Sequence, residues 1–393
     1  MFGKIPVAAT PLSLNMLSKS LFTARDAQDK LTKEFSSLIA LKYLYFCNSG
    51  LSAFYLILKA LDNKDAKKEE IILPAYTAPA LVVAIKKAGQ KVRLLDISLE
   101  DFNADFNLLD KTVNSDTLAI LGIHMFGIVA PDIAVLKQKF PDIFIIEDCA
   151  QALGSKINDS SVGGLGDVSF FSFNKGKNIS TYGGGSIATN SAGFSEDILK
   201  ASKEFVKELP LCSKLALVFK NFGLSLAVRP FIYGLGYSLI SLFKENRPPK
   251  DFVVEKYTNF QAAVALSLLE RIEDFSQKRY NNGMALIEGL KDLDGIILPK
   301  IYENTQPAFN RLPVIIKDLE KRNIIEKLLW KEGIETSRLY LKPLHHIFDL
   351  GYSKEDFPNA CYLAEHLLTL PVHPLVKDEN AEKMVGIIRQ ILK

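Results

Sequence analysis

From about residue 43 the chain alternates short apolar, β-rich runs with helix-length amphipathic stretches, and few folds accept that beat. Strands separated by helices cannot pair as tight hairpins, so they line up in parallel and the helices cover the sheet. YLYFCNSG reads as a strand entering a turn and LSAFYLILKAL as the helix after it. EEIILPAY, TAPALVVAIKKAG and KVRLLDIS continue as strand, helix and strand, followed by TLAILGIHMFG, a helix around DIAVLKQKF, and IFIIEDCAQ. Two more strand-like pieces, DVSFFSFN and GGSIATN, close the series. The expectation is an α/β fold whose large domain, residues 1–260, holds a mainly parallel sheet flanked by helices. One long helix, QAAVALSLLERIEDFSQKRYNNGMALIEGLKDL, then leads into a smaller C-terminal α+β domain, so that 261–393 forms the second unit. At 393 residues the chain exceeds what a single hydrophobic core usually serves, which agrees with two domains.

Charge and cysteine usage remove several function classes. A formal net charge of +3 with no basic arm or tract lacks the footprint of a nucleic-acid binder. Cys47, Cys149, Cys212 and Cys361 are far apart and form no CxxC pair, so neither a metal site nor a disulfide framework is expected, and a reducing cytoplasm fits. The opening MFGKIPVAATPLSLNML has no sustained apolar stretch and does not read as a secretory signal, so the mature chain is expected to begin at Met1.

Ligands of α/β sheets gather at the carboxyl ends of the strands. Three loops there carry compatible chemistry. NSGLSA (48–53) opens a helix with small residues whose N–H groups suit a phosphate, although a plain cap by Ser49 with a tight turn at Gly50 is the commoner explanation of such a stretch. In IIEDCAQALGS an apolar strand delivers Glu147 and Asp148 to its end, with Gln151 one helical turn on. An aspartate in that place can hold a pyridine nitrogen protonated, or simply cap the next helix. In GDVSFFSFNKGKNISTYGGGSIATN, Ser172 and Lys177 occupy a polar loop between apolar strands. A lysine sheltered there loses its charge readily and becomes a Schiff-base former; Lys175 is the nearby competitor, and spacing alone does not choose between them. His124, at the end of ILGIHMFG, suits either a substrate pocket or the core, and the adjacent His345 and His346 point in different directions and make no metal pair.

Taken together, these blocks resemble the DegT/DnrJ/EryC1/StrS family of sugar aminotransferases over most of the chain, in this order and with these separations. That family has the aspartate aminotransferase fold (fold type I) and uses pyridoxal 5'-phosphate (PLP). NSGLSAFYLILKAL is similar to its phosphate-binding turn, HMFGIVAPDIAVLKQKF with IIEDCAQALGS to its aspartate block, and GDVSFFSFNKGKNISTYGGGSIATN to its serine-and-lysine block. GIETSRLYLKPLHH and LTLPVHPLV resemble the closing motifs. The resemblance implies that Lys177 carries the cofactor, Asp148 partners its ring nitrogen and Gln151 neighbours its ring substituents. It implies that Ser172 and the backbone of Gly50, Leu51 and Ser52 hold the phosphate, and, through the family-like PLH, that His345 is a substrate candidate beside His124. Where the family often stacks an aromatic on the ring, after the Thr of P-x-x-T, this chain has Ala78. Where an Asn or Arg crosses to a neighbouring subunit's phosphate, EKYTNFQAA offers Lys256, and Asn174 stands where some members carry His.

The implied reaction moves an amino group, from glutamate or a similar donor, to a keto-sugar carried on a nucleotide, in amino-sugar or cell-surface polysaccharide biosynthesis, and the implied assembly is a homodimer. A branch of the family dehydrates sugars and has histidine at the lysine position, so Lys177 argues against it. A binding or regulatory protein on the same scaffold is the other alternative, and the intact Asp148, Ser172 and Lys177 argue against that.

One stretch stands apart. Residues 209–244, LPLCSKLALVFKNFGLSLAVRPFIYGLGYSLISLFK, have only Lys214, Lys220, Arg229 and Lys244 as charges. The uncharged run Pro230–Phe243 is 14 residues long, short of the roughly 20 that cross a bilayer. A helix pair lying in the surface of an anionic membrane fits this pattern, and so does an enlarged subunit interface.

Overall fold

The computed structural model describes residues 3–62, 68–242 and 248–393. Helices α1 (Leu14–Phe22) and α2 (Ala27–Ile39) precede strand β1 (Tyr43–Cys47). The predicted alternation follows as α3 (Gly50–Leu61), β2 (Glu70–Pro74), α4 (Ala80–Ala88), β3 (Lys91–Leu95), α5 (Leu109–Thr112), β4 (Thr117–Ile123), α6 (Ile133–Lys139) and β5 (Phe144–Asp148). A small hairpin of β6 (Lys156–Ile157) and β7 (Ser160–Ser161) leads to β8 (Val168–Ser172) and β9 (Gly185–Thr189). Helices α7 (Ala192–Phe205), α8 (Leu211–Ala227), α9 (Pro230–Leu242), α10 (Asn259–Leu269) and α11 (Ile272–Leu290) come next. The chain ends with β10 (Ile296–Ile297), β11 (Thr305–Gln306), β12 (Leu312–Ile316), α12 (Leu319–Lys331), α13 (Pro358–His366), β13 (Leu367–Leu370) and α14 (Asp378–Leu392).

The main sheet has the order β1-β9-β8-β5-β4-β2-β3. Neighbours from β8 to β3 are parallel, and β9 runs against both β1 and β8. Every residue of β4 is buried, as expected of a strand with helices on both faces. Local signals set the helix ends: Ser49 and Ser191 cap α3 and α7 with their hydroxyls, Thr258 and Gln261 close a capping box on α10, and Gly89 ends α4 at φ 89°. Because β9 is reversed, its first residue, Gly185, lies at the edge where β1, β5 and β8 end. A second sheet, β10-β12-β13, is antiparallel. A third, β11-β6-β7, ties the region after β5 to residues 305–306. One apolar cluster runs from α3, β2 and β4 into β12, α12 and α14.

One expectation is modified and another, the helix pair, takes definite form. The single long helix is broken at Glu270 and Arg271, where the Arg271 N–H donates to Leu268 at i−3 and its φ, ψ of −119° and 11° leave the helical range. The break separates α10, buried along most of its length, from α11, whose residues alternate between core and solvent. The stretch 209–244 forms α8 and α9, bent by 99° to one another, with Phe243 and Lys244 outside the described residues. No single helix among the described residues is long and apolar enough to cross a membrane.

Arg279, on α11 and 1% exposed, joins segments distant in sequence. It donates to the carbonyls of Phe309 and Asn310 at 3.1 and 3.2 Å and to that of Ala9 at 3.0 Å, and burial pushes its guanidinium down to about 9. Arg279→Met fills similar volume but strands these three acceptors at ~1–3 kcal/mol for each one left dry. Denaturant unfolding should show a loss of about 2–5 kcal/mol with an unchanged slope.

Candidate active site

The carboxyl edge of the main sheet is closed by residues without side chains. A Cβ on Gly50 would lie 2.7 Å from the Cβ of Ser172, and one on Gly185 would lie 2.5 Å from the backbone nitrogen of Gly50. The start of α3 therefore sits directly on the ends of β8 and β9, with the Ser172 hydroxyl beside its first turn. Ser49 accepts from the Ser52 N–H at 3.0 Å and its hydroxyl meets that of Ser52 at 2.9 Å. Ser52 is thereby fully buried, whereas Leu51 and Ser172 keep part of their surface open. First-turn N–H groups of a helix have no helical acceptor and carry its positive end, and no acidic side chain occupies the first turn of α3.

Beside this turn the fold places Asp148 and Lys177 within Coulombic reach of each other. Asp148 ends β5 and accepts from the Ala150 N–H at 2.8 Å; desolvation raises its carboxyl to about 6 against that bond and against the pull of Lys177. Lys177 follows a turn in which its N–H donates to Asn174 at 3.2 Å and Gly176 takes φ 77°. The loop is tied from three sides: Thr10 donates to the Lys177 carbonyl at 3.0 Å, Asn310 to that of Gly176 at 2.7 Å, and Asn178 to those of Leu153 and Ala308 at 2.9 and 2.8 Å. Desolvation lowers the Lys177 ammonium to about 8; Asp148 opposes the shift and Arg311 adds to it. Lys175 and Asn174 are exposed on the same loop.

Gln151 is buried, with Nε2 at 3.5 Å from the Met125 sulfur and Oε1 lacking any hydrogen-bond partner among the described residues. His124 does not open on a pocket. It is fully buried, its Nδ1 accepts from the Ala130 N–H at 3.1 Å, and Nε2 donates to Glu147 at 2.8 Å. Burial works to raise the Glu147 carboxyl, but His124 and the N–H groups of Leu165 and Gly163 hold it below the usual range, which makes the pair a structural bolt behind Asp148. His345 packs on His346 and Phe357 and faces the Cys361 sulfur at 3.7 Å, and none of these belongs to the lysine–aspartate cluster. Lys256 lies exposed, ion-paired with Glu208, on a segment bridged to Cys47 at the end of β1. Ala78 is partly buried and supplies no ring.

One residue of this cluster was not singled out from the sequence. Arg311, at the entry to β12, is desolvated, its Nε donates to Asn310 at 3.2 Å, and it lies in electrostatic range of Lys177, Tyr340, Glu335 and Tyr76. The available signal was a lone arginine opening the otherwise apolar strand FNRLPVII.

A model of the DegT/DnrJ/EryC1/StrS aminotransferase family matches residues 12–389. The chain belongs to that family. Among its relatives, the dTDP-3-amino-3,6-dideoxy-alpha-D-galactopyranose transaminase of Aneurinibacillus thermoaerophilus is 26% identical, with 92% of this chain and 89% of that protein covered. Among solved structures, the sugar aminotransferase CalS13 from Micromonospora echinospora superimposes with a TM-score of 0.79 at 18% identity, covering 98% of this chain and 99% of that one. Spr1654 from Streptococcus pneumoniae, solved in a PLP form, gives 0.75 at 21% identity and covers 99% and 100%. The family's α/β fold with a mainly parallel sheet is thus the one the alternating pattern predicts.

The lowered value of Lys177 has a direct readout. Its neutral amine is half-populated near pH 8 rather than 10.5, so labelling of the cofactor-free protein with an amine-reactive reagent, resolved by mass, should give Lys177 a midpoint near 8. Asp148 raises that value, so Asp148→Asn should move the midpoint lower still. A midpoint near 10.5 in the wild type would contradict the assignment.

Proposed function

We propose that this protein transfers an amino group from glutamate or a similar donor to a keto-sugar carried on a nucleotide, with PLP as cofactor. The observation that carries the reading is the desolvated Lys177–Asp148 pair beside a helix N-terminus at the carboxyl edge of a parallel sheet. The residues present fit the cofactor: the start of α3 with Ser172 suits a phosphate, Asp148 lacks only a cationic ring nitrogen, and the orphaned Gln151 Oε1 suits a polar ring substituent. Support for a nucleotide-linked substrate comes from the relative named for a dTDP-sugar.

When bound, PLP supplies a carbonyl that condenses with amines and a ring that draws off electrons as the donor's α-proton leaves. Lys177 would hold it through Nζ and, when free, would take the donor's α-proton on that nitrogen and give it back. Desolvation, which favours the neutral amine, suits that role, since a general base must be free of its own proton to accept one. Asp148 holds the ring nitrogen protonated, and the His124–Glu147 bolt fixes the strand end that presents it. Arg311 binds the donor's carboxylate, since a desolvated guanidinium calls for an anion. The same reading includes two domains, 1–260 and 261–393, and a homodimer in which Lys256 serves the neighbouring subunit's phosphate.

Borohydride treatment of the PLP-loaded protein tests the anchor. Lys177→Ala should leave no cofactor fixed to the chain, while Lys175→Ala should leave fixation intact; the reverse outcome would move the site to Lys175. For Arg311→Gln, the donor's KM should rise roughly 10- to 100-fold, the worth of charge-assisted bonds of ~1.5–3 kcal/mol, with the sugar's KM little changed.

A further inference from the structure

Asp and Glu account for 45 of the 393 residues, yet none falls between Glu208 and Glu245. That acid-free stretch contains α8 and α9. Leu211, Leu215 and Phe219 recur every fourth residue along α8 and make one outward stripe, with Leu211 and Phe219 73% and 75% exposed. Past the bend, Phe231, Ile232 and Leu235 are also exposed, as are Leu21 and Phe22 on α1, the helix against which α8 packs. Lys214, Lys220 and Arg229 stand exposed among them. Soluble proteins seldom leave this much large apolar surface in one region without a partner.

The inward side of this elbow is fixed. Asn221 and Ser225 of α8 are buried, the Lys4 N–H donates to the Pro230 carbonyl at 2.8 Å, and the Tyr233 hydroxyl meets Glu335 at 2.7 Å. The outward side is therefore presented by the folded body and is not a detached arm. At 99° between two helices of 17 and 13 residues, the pair is too short and too bent to run straight through a bilayer. A second copy of the same patch would meet it in an isologous contact and set the basic groups near one another, which opposes association. An anionic lipid surface has no such conflict: acyl chains take the Leu and Phe side chains while phosphate groups take Lys214, Lys220 and Arg229.

We propose that the α8–α9 elbow docks the protein in the plane of an anionic lipid surface. The inference does not depend on the proposed substrate. It is tested by flotation of the full chain with vesicles of phosphatidylcholine alone or mixed with phosphatidylglycerol, and by light scattering for oligomer mass. Wild type should float with the phosphatidylglycerol vesicles at low salt, at least tenfold more than with phosphatidylcholine alone, and less at high salt. Leu215→Glu combined with Phe219→Glu and Phe231→Glu should stay behind while keeping the wild-type oligomer mass. Lys214→Gln with Lys220→Gln, which leaves the apolar stripe intact, should keep the fold and lose several-fold in binding. Wild type that fails to float with anionic vesicles, or glutamate substitutions that split the oligomer, would overturn the proposal and assign the face to a protein interface.

Discussion

The candidate site is arranged around two opposite charges, a buried Asp148 and a half-buried Lys177, that have given up much of their water. Asp148 and Lys177 each resist ionisation because they are desolvated, and each makes the other's charge easier to keep. Such a pair is unstable as plain packing, and its geometry survives because the surrounding backbone is held elsewhere. Thr10, Asn178 and Asn310 grip the lysine loop, Arg279 grips the carbonyls of residues 309 and 310, and His124 with Glu147 closes the far side of the aspartate strand. Most of these supports are hydrogen bonds from buried side chains to backbone carbonyls, and the charged ones, Arg279 and Glu147, have their own buried partners.

The same neighbourhood stores backbone strain. Phe126, Tyr182 and Leu339 adopt φ of 60°, 53° and 53°, a region that costs a bulky residue on the order of 1 kcal/mol or more. Phe126 follows the β4 edge, and its carbonyl accepts from the Asn310 N–H at 2.7 Å. Tyr182 precedes the glycines that let β9 start against Gly50, and Leu339 stands next to Tyr340 near Asp148 and Arg311. Strain of this kind persists only where neighbours over-determine it, and here the neighbours are the residues that shape the cleft.

How much of this was legible in the sequence depends on the range of the interaction. The strand-and-helix beat, the cap at Ser49 and the placement of Asp148 at a strand end follow from local pattern, because periodicity and capping act over a few residues. The break at Glu270–Arg271 was hidden because both residues tolerate helix and no Gly, Pro or capping side chain marks it. His124 was left open between pocket and core because its partner Glu147 lies 23 residues away on the adjacent strand, where only the sheet register of β4 and β5 brings them together. Lys256 meets Glu208 across the whole α8–α9 segment, so its ion pair had no signature either. Arg311 gains significance only through the loop that brings Lys177 to it.

The α8–α9 elbow and the cleft are joined through one carboxylate. Glu335 is buried, accepts from the Tyr233 hydroxyl at the base of α9 and from the Val7 N–H at 3.0 Å, and lies in the field of Arg311. A force that tilts α9 therefore acts on the acid that helps balance the guanidinium facing Lys177. Loss of the Tyr233 bond would remove one of the groups that share the Glu335 charge, a charge that also acts on Lys4 and Arg311. The elbow is thus linked to the site through the Tyr233–Glu335 bond and the field of Glu335 on Arg311.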